Sequence, residues 1–146
     1  MPARYRFLPQ HGCLYLRFED PFQFGKADDM VATFTADKEF ERSDTIIFDL
    51  SQLKSIKIDV TRSSDKVMKV GSNFPRDGGR IVVLAPTETS VSMAQLLRGL
   101  WDGYPQVTFQ IFKSDIELLI HLGIEQDTWD ALIEGEFSEG QIHSRS

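Results

Sequence analysis

The sequence predicts one α/β domain: a mixed sheet of about five strands, opened by an N-terminal hairpin and continued by alternating helices and mainly parallel strands, with the helices packed on the sheet. Three observations lead there. Apolar residues alternate with a period of two near the N-terminus, they recur at three- and four-residue spacing further along, and two short runs are apolar throughout. Continuous apolar runs belong to strands covered on both faces, the situation of parallel strands with crossover helices. A chain of 146 residues, 41% hydrophobic and 26% charged, has material for one core and too little for two.

Tyr5-Arg6-Phe7-Leu8, the turn Pro9-Gln10-His11-Gly12, and Cys13 to Glu19 form the hairpin. Leu14, Leu16 and Phe18 alternate with Cys13, Tyr15 and Arg17, which gives the second strand one strongly apolar face. Asp20-Pro21 ends it. From Gly25 to Glu41 the residues Ala27, Met30, Val31 and Phe34 keep helical spacing, so an amphipathic helix is expected. Thr45 to Leu50 (TIIFDL) is the first buried strand. A second helix spans Val60 to Phe74, capped by Asp59 or Thr61, and Pro75 with Asp77-Gly78-Gly79 stops it.

Arg80 to Ala85 (RIVVLA) is the second buried strand, and Pro86-Thr87-Glu88-Thr89 is a helix start. The helix that follows, Glu88 to Asp102, carries a broad stripe of Met93, Leu96, Leu97, Leu100 and Trp101, and Gly103-Tyr104-Pro105 closes it. Gln106 to Phe112 alternates like an edge or near-edge strand. Asp115 to Leu122 is a short helix stopped by Gly123. The domain is expected to cover 1–124. Residues 125–146 form an extension, with a short amphipathic helix over 127–135 whose Trp129, Leu132 and Ile133 give it a face to pack back on the domain, and then a frayed tail.

The net charge is −6, and it is unevenly spread. Residues 1–73 hold 11 Lys/Arg and 11 Asp/Glu, whereas residues 74–146 hold 5 and 11. That balance speaks against nucleic-acid binding, which needs phosphate neutralisation. The run Ile81 to Ala85 is far short of the ~20 residues that span a bilayer, and MPARYRFLPQ lacks an apolar signal region. A cytoplasmic protein is the expectation.

Catalytic chemistry finds little support. His11, His121 and His143 sit in no triad-like context, and His121 with Glu125 has helical spacing but no third metal ligand. Cys13 stands alone in an apolar strand and behaves as a small hydrophobe. Asp28 and Asp29 are adjacent on a helix, so their carboxylates diverge. Asp77-Gly78-Gly79 precedes its strand rather than following it, and no phosphate-cradling loop results. No enzyme, metal or cofactor is expected.

The element order, together with TIIFDLSQLKSI and GGRIVVLAPTETSVSMAQLL followed by VTFQIFKSDIELLIHLGI, is similar to the STAS domain of SpoIIAA-type anti-sigma factor antagonists. It looks closest to a SpoIIAA-like bacterial offshoot whose family title also names a lipid-transfer domain. The likeness covers roughly residues 5–124 and implies a SpoIIAA-like sheet and a regulatory role through protein partners. In phosphorylatable STAS antagonists a Ser at the helix start, in Asp-Ser-Ser-Gly or Asp-Ser-Thr-Gly, accepts phosphate from a partner kinase. Asp49, Leu50, Ser51 and Ile56 match the pattern, but Lys57, Ile58 and Asp59 stand where the switch residues would be. Thr61, Ser63 and Ser64 are the remaining hydroxyls nearby.

On helical spacing Arg62, Lys66 and Lys69 share one face, opposite Val60, Val67 and Val70. With Lys57, Ile58 and Asp59 they make a candidate surface for an acidic protein partner, and the resemblance implies the same loop and helix as the partner surface. Two alternatives remain open. One is a carrier of a lipid or small apolar ligand, with membrane contact, suggested by eleven Phe and by the resemblance. The other is a homodimer built on Met93, Leu97, Leu100 and Trp101.

Overall fold

The structure is a computed structural model in which residues 3–19, 36–54, 79–100 and 107–134 are described. Five strands form one sheet in the order β1-β2-β3-β4-β5. They are Ala3–Leu8 (β1), Cys13–Glu19 (β2), Thr45–Gln52 (β3), Arg80–Leu84 (β4) and Thr108–Phe112 (β5). β1 and β2 are antiparallel, and every other neighbouring pair is parallel. The expected hairpin followed by parallel strands is therefore present, and β5 lies at the sheet edge as its alternation predicts.

Four helices accompany the sheet among the described residues: Lys38–Arg42 (α1), Glu88–Leu100 (α2), Asp115–Leu122 (α3) and Gln126–Glu134 (α4). Their phase decides which face each one covers. One sheet face gathers Leu14, Leu16 and Phe18 of β2, Ile46, Phe48 and Leu50 of β3, and Ile81 and Val83 of β4 against Phe40 of α1 and Met93, Ala94 and Leu97 of α2. The other gathers Cys13, Tyr15, Ile47, Val82 and Leu84 against Leu118 and Leu119 of α3 and Trp129 and Leu132 of α4. Each fully buried large apolar side chain stabilises the fold by roughly 1.5–3 kcal/mol, so both layers matter.

β2 departs from its expected one-sided character, because both of its faces are buried. The cause is the pair α3 and α4, which covers the face carrying Cys13 and Tyr15. The segment expected to be an extension after residue 124 supplies Trp129 and Leu132 to that same layer. Trp129 and Leu132 are thus part of the domain's core.

The continuous helix expected over 25–41 is broken at its end. Asp37 has extended dihedrals and accepts from the Glu39 backbone N–H at 2.8 Å, so a separate short helix starts at Lys38. An Asp at this position caps a helix better than it extends one. The remainder of that expected helix, the helix over 60–74, the turn at 103–105 and the tail from 135 lie outside the described residues.

Local chemistry explains the other boundaries. Thr87 and Ser90 cap α2 reciprocally: Ser90 N donates to Thr87 Oγ1 at 3.1 Å and Thr87 N donates to Ser90 Oγ at 2.8 Å. Gly123 ends α3 at φ +71°, and its N–H closes on the carbonyl of Ile120. Only glycine adopts that conformation without strain, which is why the short turn from α3 to α4 falls there.

Candidate functional site

Open α/β sheets place ligand chemistry beyond the carboxyl ends of their parallel strands. Here that edge carries one buried ionisable cluster. Tyr15 and Arg17 are two residues apart on β2 and therefore point to the same face, and the parallel register sets Arg17 beside Asp49 of β3. The three side chains converge beneath α4.

Asp49 is 1% exposed and interrupts the apolar run from Ile46 to Leu50 within β3. Its Oδ2 accepts from the Tyr15 hydroxyl and lies 4.0 Å from Arg17 Nε. Its Oδ1 accepts from Ser51 N at 2.9 Å and from Ser51 Oγ at 2.6 Å. Arg17 Nε also donates to Tyr15 Oη at 3.4 Å, and another Arg17 nitrogen donates to the Ile133 carbonyl at 3.3 Å. That last bond satisfies a backbone acceptor in the final turn of α4, where a cation also meets the negative end of the helix dipole. Glu19 adds a weaker ion pair to Arg17 at 3.8 Å.

Electrostatics fix the protonation of this cluster. Burial first, then the charge and hydrogen bond of Asp49, push the Tyr15 phenol well above its ordinary range, while Arg17 opposes the shift. Tyr15 is thus a proton donor to Asp49 and no base. The carboxylate in turn accepts three hydrogen bonds, one on Oδ2 and two on Oδ1, so both of its oxygens are engaged within the protein. Trp129 seals the cluster, its ring set edge-on to Tyr15 at 5.5 Å and 89°. The arrangement ties β2, β3 and α4 together.

The amino end of β2 holds Cys13, whose thiol donates to the His11 carbonyl at 3.4 Å. Burial is the largest cause of a thiol pKa pushed up to about 12, with Arg80 lowering it and Asp44 raising it. A thiol held protonated is a poor nucleophile, consistent with the packing role expected for it. His121 stacks near Phe112 at 5.2 Å between centroids. No group of three metal-ligating side chains occurs among the described residues. Among the same residues, no helix is long and apolar enough to cross a membrane.

The sequence-named candidates fall differently. Lys57, Ile58, Asp59, Arg62, Lys66 and Lys69 lie outside the described residues, as do Thr61, Ser63 and Ser64. Met93 and Leu97 are buried against the sheet, and the neighbouring residue that α2 turns outward is Leu96. The side chain of Leu100 and the whole of Trp101 are outside the description. Sequence reasoning did not assemble Tyr15, Arg17 and Asp49. The available signal was an acid inside the apolar run of β3, opposite a strand face that held a phenol and a guanidinium.

No protein-family model, curated protein or solved structure matches this chain.

Proposed function

We propose that this chain is a non-enzymatic, STAS-like interaction and regulatory module, with a SpoIIAA-like arrangement of its sheet, acting in the cytoplasm without the phosphorylatable serine of that family. One observation carries the reading. At the carboxyl ends of the strands, where an α/β enzyme would present its reactive groups, the ionisable cluster is buried and both oxygens of its carboxylate accept hydrogen bonds from within the protein. Asp49 and Ser51, the most family-like residues in the sequence, are bonded to each other rather than turned toward a substrate. Work is left to the outer surfaces. The sequential strand order after an antiparallel hairpin agrees with the same reading.

The proposed partner surface is Lys57, Ile58, Asp59, Arg62, Lys66 and Lys69, complementary to an acidic protein. Reversing Arg62, Lys66 and Lys69 to Glu tests it by affinity capture from the source organism. A partner recovered by the native chain and lost with the reversed one supports the surface. Equal recovery by both removes it.

A further inference from the structure

The end of β3 and the end of α4 are joined through one pair of buried side chains. Ser51 is half-buried near the carboxyl end of β3, beside the exposed Gln52, and its hydroxyl and backbone N–H both donate to Asp49 Oδ1, at 2.6 and 2.9 Å. On the far side of the same carboxylate, Arg17 lies beside Oδ2 and donates through Nη2 to the Ile133 carbonyl in the last turn of α4. Asp49 and Arg17 thus form the whole path from Ser51 to Ile133.

The distances divide that path unequally. Ser51 holds Oδ1 tightly, whereas Arg17 Nε stands 4.0 Å from Oδ2 and 3.4 Å from Tyr15 Oη, and Nη2 stands 3.3 Å from the Ile133 oxygen. A guanidinium paired with a carboxylate ordinarily closes to about 2.7–2.9 Å, often through two parallel bonds. Arg17 stops short of that because Ser51 occupies Oδ1 and the Tyr15 hydroxyl occupies Oδ2. The geometry therefore has a second arrangement close by. With Ser51 withdrawn from Oδ1, the carboxylate turns toward Arg17, and the two-bond pair that forms draws the guanidinium off the Ile133 carbonyl.

We infer that Ser51 is a positioning residue whose bonds to Asp49 keep Arg17 on the end of α4, and that a partner carboxylate taking the Ser51 N–H and hydroxyl releases that end. The trigger rests on the acidic partner proposed above, since Ser51 lies just before the Lys57 to Lys69 span in the chain. The linkage from Ser51 to Ile133 does not rest on it. Loss of the Arg17 bond leaves the last carbonyls of α4 without a partner and removes a cation from the negative end of the helix, so the final turn frays while Trp129 and Leu132 stay packed.

Amide hydrogen exchange of the full chain tests the linkage with no partner present. Ser51→Ala should speed exchange at Ile133 and Glu134 about fivefold, beyond any change at Ile47 and Val82 in the sheet, and Ser51→Thr, which keeps the hydroxyl, should restore the native rates. In an Arg17→Lys background, where no guanidinium fork remains to pair with Asp49, the same Ser51→Ala step should change those two amides by less than about twofold. Equal changes at the end of α4 and in the sheet, failure of Ser51→Thr to rescue, or an undiminished effect in the Arg17→Lys background would overturn the linkage. None of these results bears on the capture test of the Lys57 to Lys69 surface. Equal capture by the charge-reversed chain would instead remove the acidic partner as trigger and leave the linkage standing.

Discussion

Replacing Asp49 with Ala tests whether the buried cluster beneath α4 is a structural tie. The change leaves the Tyr15 hydroxyl without its acceptor and the Arg17 guanidinium without its ion-pair partner, and frees the Ser51 backbone N–H and hydroxyl. Unpairing a buried charge costs roughly 3–5 kcal/mol. Arg17 keeps the Ile133 carbonyl and Glu19, and its side chain is 12% exposed, which places the expected loss near the lower end, about 3 kcal/mol. Tyr15→Phe removes one hydrogen bond to a charged group, about 1.5–3 kcal/mol. Because both changes delete the same bond, the double variant should fall short of the sum by about 1–2 kcal/mol.

Urea unfolding followed by tryptophan fluorescence is the assay. With a slope of ~2 kcal/mol/M, the Asp49→Ala midpoint drops by roughly 1.5 M. A domain of ordinary stability, about 5–15 kcal/mol, survives that loss, with little margin at the lower end of the range. An Asp49→Ala loss below about 1 kcal/mol, or strict additivity with Tyr15→Phe, would refute the reasoning, since neither fits a saturated carboxylate held by Tyr15.

Two further outcomes follow from the same structure. Trp129→Ala should cost about 3–5 kcal/mol, and a chain ending at Ile124 should lose cooperative unfolding and bind hydrophobic dye, because Tyr15 and Ile47 would be left uncovered; a cooperative transition in the shortened chain would contradict the core position of α4. Cys13 should resist thiol reagents at neutral and mildly alkaline pH in the folded protein and react promptly in urea. Its folded pKa is raised, so the thiol's contribution to stability is fully present below the ordinary thiol range and is lost as pH climbs from there toward about 12. Tyr15, raised by burial, adds a loss of the same sign at higher pH. Cys13→Ala should flatten the first part of that alkaline decline in a pH series of urea midpoints.

The sheet was legible because its strands obey local rules. TIIFDL and RIVVLA carry apolar residues on both faces, and the hairpin carries its own turn, so a hairpin followed by mainly parallel strands could be inferred from periodicity and crossover logic, whereas the strand order could not. The helices over 88–100 and 115–122 were legible from their caps, Thr87 and Gly123. Two features were hidden for physical reasons. The break at Asp37 depends on whether a side chain caps or merely decorates a helix, which composition alone does not decide. The Tyr15–Arg17–Asp49 cluster depends on the register between β2 and β3, a long-range property absent from any local window. The role of α4 was half visible: Trp129 and Leu132 marked an apolar face, but the layer they complete, opposite α2, emerges only once the sheet has two covered sides.

The unbroken strand order has a consequence for how the chain reaches this state. Strands adjacent in the sheet are adjacent in sequence, so the sheet can grow outward from the hairpin as each strand leaves the ribosome, with no later strand wedged between earlier ones. The link from β2 to α4 cannot form on that schedule. Arg17 is made early, yet the Ile133 carbonyl that it grips arrives 116 residues later. Until then Arg17 lacks that acceptor and Tyr15 lacks the Trp129 ring, and arrival of α4 completes the layer that α3 begins.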